Sequence, residues 1–138
     1  MNKCIQDIHA EFDRVGIKHS VEQVSGKWVI STTINGKSHA YRFLLIKADD
    51  TGNDISIRTA PIVSFSRDKF DTAYNLMNSF QQEYRFVKFV MDDDGDVNVQ
   101  FDFPLAYEPI GPGAVEVVVR VTKILDDCYP KMMREIWS

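Results

Sequence analysis

Between Tyr84 and Leu105 the chain reads YRFVKFVMDDDGDVNVQFDFPL, and apolar and polar residues alternate with period two on either side of an acidic turn bearing a glycine. Val87, Phe89 and Met91 share one face of the first strand, and Val97, Val99, Phe101 and Phe103 share one face of the second. A two-residue loop at Asp94-Gly95 would set Phe89 opposite Gln100 and mix the faces. A three-residue loop, Asp93-Asp94-Gly95, sets Phe89 opposite Val99 and Val87 opposite Phe101, which keeps one face apolar. That loop is a type I turn followed by a left-handed residue, and Gly95 falls where the left-handed conformation is required. Pattern and turn chemistry predict the same hairpin.

The rest of the chain can be read against it. Residues 2–15 place Ile5, Ile8, Phe12 and Val15 at helical spacing, with Gly16 as a stop. Residues 17–26 are ambiguous and leave room for a short extended piece. Residues 27–34 read as a strand, and a two-residue Asn35-Gly36 turn would pair Ile30 with Tyr41 and Trp28 with Phe43, Leu45 extending that face. DDTGND at 49–54 marks another turn, and residues 55–65 continue as a third strand that Pro61 interrupts. Ser66 is the expected N-cap of a second helix, with Phe70, Ala73, Tyr74, Met77, Phe80 and Tyr84 as its stripe. AYEPIGPG reads as a loop. In the remainder valines favour a strand, yet Val115, Val118, Leu125, Cys128, Met132 and Ile136 share a helical stripe. The segment is therefore expected to be helical, with Pro130 ending its first part or opening a second. The pattern predicts an α+β fold in the order helix, three strands, helix, two strands, helix: a five-stranded antiparallel sheet with the helices on one face.

Composition narrows the function more than the fold. The 138 residues, 44% hydrophobic and 26% charged, fit a single globular domain over 1–138 with its own core. A net charge of -4 without a Lys/Arg run argues against nucleic acid. Cys4 and Cys128 make no disulfide framework, and reduced thiols in the cytoplasm are expected. Neither a signal peptide nor a membrane span is discernible.

Each chemical constellation fails on spacing. Aligning Gly95 to the invariant glycine of a calcium loop puts Val90 first and Phe101 twelfth, and aligning Gly52 puts Lys47 first and Arg58 twelfth. Cys4, His9, His19, His39 and Cys128 lack the close ligand pairs of zinc sites, and a nucleophile–histidine pair could come only from the fold. No phosphate-binding glycine motif occurs. The sequence therefore assigns no catalytic residue, metal or cofactor. What remains is the sheet's second face, where Val29, Leu44, Ile46, Phe86 and Val90 stand among polar residues. They are the expected contact surface for a second copy or a partner chain. The alternative is an enzyme or small-ligand site assembled from His39, Tyr41, Arg42 and Asp102.

Three stretches carry a resemblance: Tyr84-Arg85-Phe86-Val87-Lys88-Phe89 with Asp92-Asp93-Asp94-Gly95-Asp96-Val97, then Asp102-Phe103-Pro104, and the ending Ile124-Leu125-Asp126-Asp127-Cys128-Tyr129-Pro130 with Ile136-Trp137. Over most of its length the chain resembles the YbjN family of bacterial proteins, described as sensory transduction regulators. The resemblance implies a fold similar to that of type III secretion chaperones, a homodimer, and binding of an unidentified protein partner rather than catalysis. It carries no catalytic motif.

Overall fold

Seven antiparallel strands form one sheet in the computed structural model, which describes residues 2–47, 54–104 and 110–138. Helix α1 (Lys3–Val15) starts where the Asn2 side chain accepts from the Cys4 and Ile5 amides, and stops at Gly16, whose φ of 80° closes the cap. It buries Cys4, Ile5, Ile8 and Phe12. Strand β1 (His19–Val24) occupies the stretch the pattern left ambiguous, and pairs with β2 (Lys27–Asn35). Their two-residue turn, Ser25-Gly26, has positive φ at both positions (51° and 79°), the signature of a type I′ hairpin.

The Asn35-Gly36 hairpin was expected to be the tight one, and it is not. Strand β3 (Ala40–Lys47) pairs Asn35 with Ala40, Ile34 with Tyr41 and Ile30 with Leu45, so the loop spans Gly36 to His39. Gly36 has no positive φ, as a type I′ turn would need. Instead the loop is shaped from outside: the Lys37 amide donates to Asp126 of the last helix at 3.0 Å. A Cβ on Gly36 would lie 2.2 Å from that carboxylate. The register shift is even, so Ile30, Tyr41, Phe43 and Leu45 keep the core face that alternation gave them.

Pro61 divides the expected third strand into β4 (Asp54–Thr59) and β5 (Val63–Ser64). Both lie along one flank of β7 (Asp96–Pro104), while β6 (Lys88–Met91) pairs with its other flank. Val97 is thus opposite both Val63 and Met91. This split, together with β1, makes the sheet seven-stranded rather than five-stranded. The β6–β7 hairpin has the predicted register, Phe89 opposite Val99, with Gly95 at φ 89°. Of the 49–54 turn only Asp54 is described.

The second helix begins with a 3₁₀ turn (Arg67–Lys69) before α2 (Phe70–Glu83). Ser66 does not cap a backbone amide; its hydroxyl donates to Asp68 Oδ1 at 2.6 Å. Helix α3 (Ile110–Ile136) runs uninterrupted through Pro130. It also takes in Gly111-Pro112-Gly113, which the pattern assigned to a loop. Those glycines are packing positions: a Cβ on Gly111 would lie 2.9 Å from the Asp7 carbonyl of α1, and one on Gly113 2.5 Å from the Phe103 ring. α1 and α2 both pack on α3, and α3 rests on β2 and β5, so the helices cover one face of the sheet. Between the layers lies one core that includes Phe12, Ile30, Phe43, Leu45, Phe80 and Leu125.

Candidate functional site

The register places Val29 beside Ile46, and Leu44 in the next row opposite Ser31 and Arg58. All three residues project from the face away from the helices, and all are half-buried by their neighbours. Val90 is on that face too but at its far edge, opposite Asn98, with the Arg58–Gln100 row between. Phe86 is not there. It precedes β6 in a turn, so strand alternation does not reach it, and its ring stacks on Phe101 at 4.5 Å beneath the Arg120 guanidinium of α3 at 4.8 Å. The apolar island is therefore Val29, Leu44 and Ile46. Glu22, Asp54 and Asp102 stand around it with Arg42 and Arg58, so both signs of charge border the same patch.

Of the alternative site, His39 and Tyr41 meet, their ring centroids 5.2 Å apart, but Arg42 and Asp102 do not join them. Tyr41 is buried and its hydroxyl donates to Asp126 at 3.3 Å, whereas Arg42, its chain neighbour, projects from the opposite face. Asp102 is exposed near the end of β7. His39 stacks on Tyr129 with ring centroids 4.5 Å apart. Burial, reinforced by Asp126, holds the Tyr41 phenol protonated well above the ordinary tyrosine range. Burial likewise pushes the Tyr84 phenol up to about 12.

The thiols are equally unsuited to nucleophilic attack. Cys4 on α1 and Cys128 on α3 are free and buried, and desolvation pushes them to about 11 and about 12. In the acidic turn, Asp92 Oδ1 accepts the Asp94 and Asp96 amides at 2.9 and 3.0 Å, so that carboxylate serves the turn itself.

Sequence reading missed one cluster. His9 and Asp13 are four apart on α1, and His19 opens β1; the turn after Gly16 brings all three together. His9 Nδ1 lies 2.7 Å from His19 Nε2. Spacing could have given the first two as a helical pair, but the third depended on a strand the pattern left open.

Comparison with protein families finds that the YbjN model, described as "Putative bacterial sensory transduction regulator", matches residues 11–130. No curated protein matches the chain.

Proposed function

The chain belongs to the YbjN family, and from that premise we propose that it is a non-catalytic cytoplasmic regulatory domain that works by binding protein, its first partner being a second copy of itself. The observation that carries this is the open sheet face. Val29, Leu44 and Ile46 form an apolar island there, while every helix among the described residues lies on the other side. A surface that pairs with its own copy must meet itself, so it needs both charge signs; Glu22 and Asp102 against Arg42 and Arg58 supply them. Two free, buried thiols suit a reducing compartment. The order helix, strands, helix, hairpin, helix supports the likeness to type III secretion chaperones. Among the described residues no helix is long and apolar enough to cross a membrane.

Light scattering behind size exclusion tests the reading. The wild type is expected at twice the 15.8 kDa chain mass, and Leu44→Lys/Ile46→Lys at that chain mass with its circular dichroism unchanged. A monomeric wild type, or a dimer that survives both lysines, removes it.

A further inference from the structure

We propose that His9, Asp13 and His19 form a binding site for one divalent transition-metal cation of the zinc class, stapling the end of α1 to the edge strand β1. The proposal is independent of the sheet-face reading. His9 and Asp13 leave α1 one turn apart on one side, with His9 Nε2 3.5 Å from Asp13 Oδ2. The Gly16 cap reverses the chain and the Ile17 amide returns to the Phe12 carbonyl at 2.9 Å, which swings His19 against that side. His19 Nε2 lies 3.9 Å from Asp13 Oδ1. One donor atom from each of the three falls within 4.8 Å of the others.

The second observation is how His19 is held. Its side chain is only 3% exposed. Its Nδ1 stands 2.8 Å from the Ile17 carbonyl oxygen, which can only accept, so Nδ1 carries the proton. The Nε2 lone pair then points at His9 and Asp13. A backbone carbonyl fixing the far nitrogen of an imidazole is the outer arrangement that metal-binding histidines use. The Phe12 ring meets His19 edge-on at 5.3 Å and sets its plane, while the Thr32 hydroxyl donates to the Lys18 carbonyl at 2.7 Å and pins the strand start.

Without a cation, His9 Nδ1–H donates to His19 Nε2. With one, His9 shifts its proton to Nε2, and both facing nitrogens become ligands. Two ligands of a tetrahedral zinc sit roughly 3.3 Å apart, so one ring must withdraw by roughly half an ångström. His9, 42% exposed, is free to do so. Asp13 supplies the carboxylate, and the fourth position opens towards a cleft of about 470 Å³ lined by Asp13, Gly16, Lys18 and His19. Two imidazoles with one carboxylate select zinc, cobalt or nickel over magnesium and calcium, which prefer all-oxygen sites. Three protein ligands imply micromolar rather than tighter affinity.

The test is calorimetric titration of chelator-stripped full-length protein with zinc chloride, backed by the visible spectrum of the cobalt form. Expected are one equivalent per chain and intense tetrahedral cobalt bands. A melting temperature raised by several degrees in zinc but not in magnesium is expected as well. His9→Ala, at a half-buried position, and Asp13→Asn, at an exposed one, should each leave the circular dichroism unchanged and weaken binding roughly tenfold or more. His39→Ala should bind as the wild type does. Absence of saturable binding near one equivalent overturns the proposal, as does affinity unchanged in both His9→Ala and Asp13→Asn.

Discussion

The Asp126 carboxylate on α3 accepts from the Lys37 amide and the Tyr41 hydroxyl, at 3.0 and 3.3 Å. A side chain from the last helix thus shapes a loop near the start of the chain. Asp126→Ala would leave the Tyr41 hydroxyl, on a residue 1% exposed, without its acceptor. Losing an acceptor to a buried donor costs about 2 kcal/mol. Urea unfolding should register that loss, and hydrogen exchange should quicken at the Lys37 amide. No local rule could have found this contact. Asn35-Gly36 carries the stronger hairpin signal, yet Ser25-Gly26 makes the type I′ turn, because Asp126 claims the other loop. At Ser31 the same scale exposes a polar cost: its hydroxyl is shut from solvent and finds no partner among the described residues.

At the level of elements, α3 holds together against its own composition. Its valine-rich start is helical because Val117, Val118 and Val121 bury against the other layers, and burial outweighs the modest helix penalty of branched side chains. Pro130 lies inside this helix without interrupting it, so one backbone hydrogen bond is missing at that turn. Pro130→Ala should stabilise the protein by about 2 kcal/mol, read as a higher urea midpoint with an unchanged slope. Helix existence was legible throughout, since stripes such as Ile5, Ile8 and Phe12 are periodic. What escaped were features decided by another element. Gly111 and Gly113 look like loop glycines until α1 and Phe103 press against them. Phe86 looks like a strand residue until Arg120 covers it. Of the predicted contact surface, Val29, Leu44 and Ile46 share a patch because alternation is a local property. His9, Asp13 and His19 needed the reversal after Gly16.

For the molecule as a whole, the buried thiols tie stability to alkaline pH. An unfolded chain releases thiol protons near pH 9.0, while the folded one holds them to about 11 at Cys4 and about 12 at Cys128. Below the first value both states are protonated and the thiols exert no pH dependence. Above it the unfolded state ionises first, so stability falls as pH rises through that window. Urea midpoints should show the fall, and Cys4→Ala with Cys128→Ala should flatten it between the thiol value of 9.0 and the ordinary phenol value of 10.0, above which the raised Tyr41 and Tyr84 phenols add a fall of their own.

The placement of β7 bears on how the chain finds its shape. Pairings β1–β2, β2–β3, β3–β4 and β6–β7 each join strands that are consecutive or nearly so along the backbone. β4–β7 must instead close a segment containing α2 and β6. Two locally assembled halves therefore meet along this flank of β7 and where α1 and β2 pack on α3, and the entropy of closing that segment falls on their union. The slow event in refolding is expected to be this union, with each half already collapsed before it.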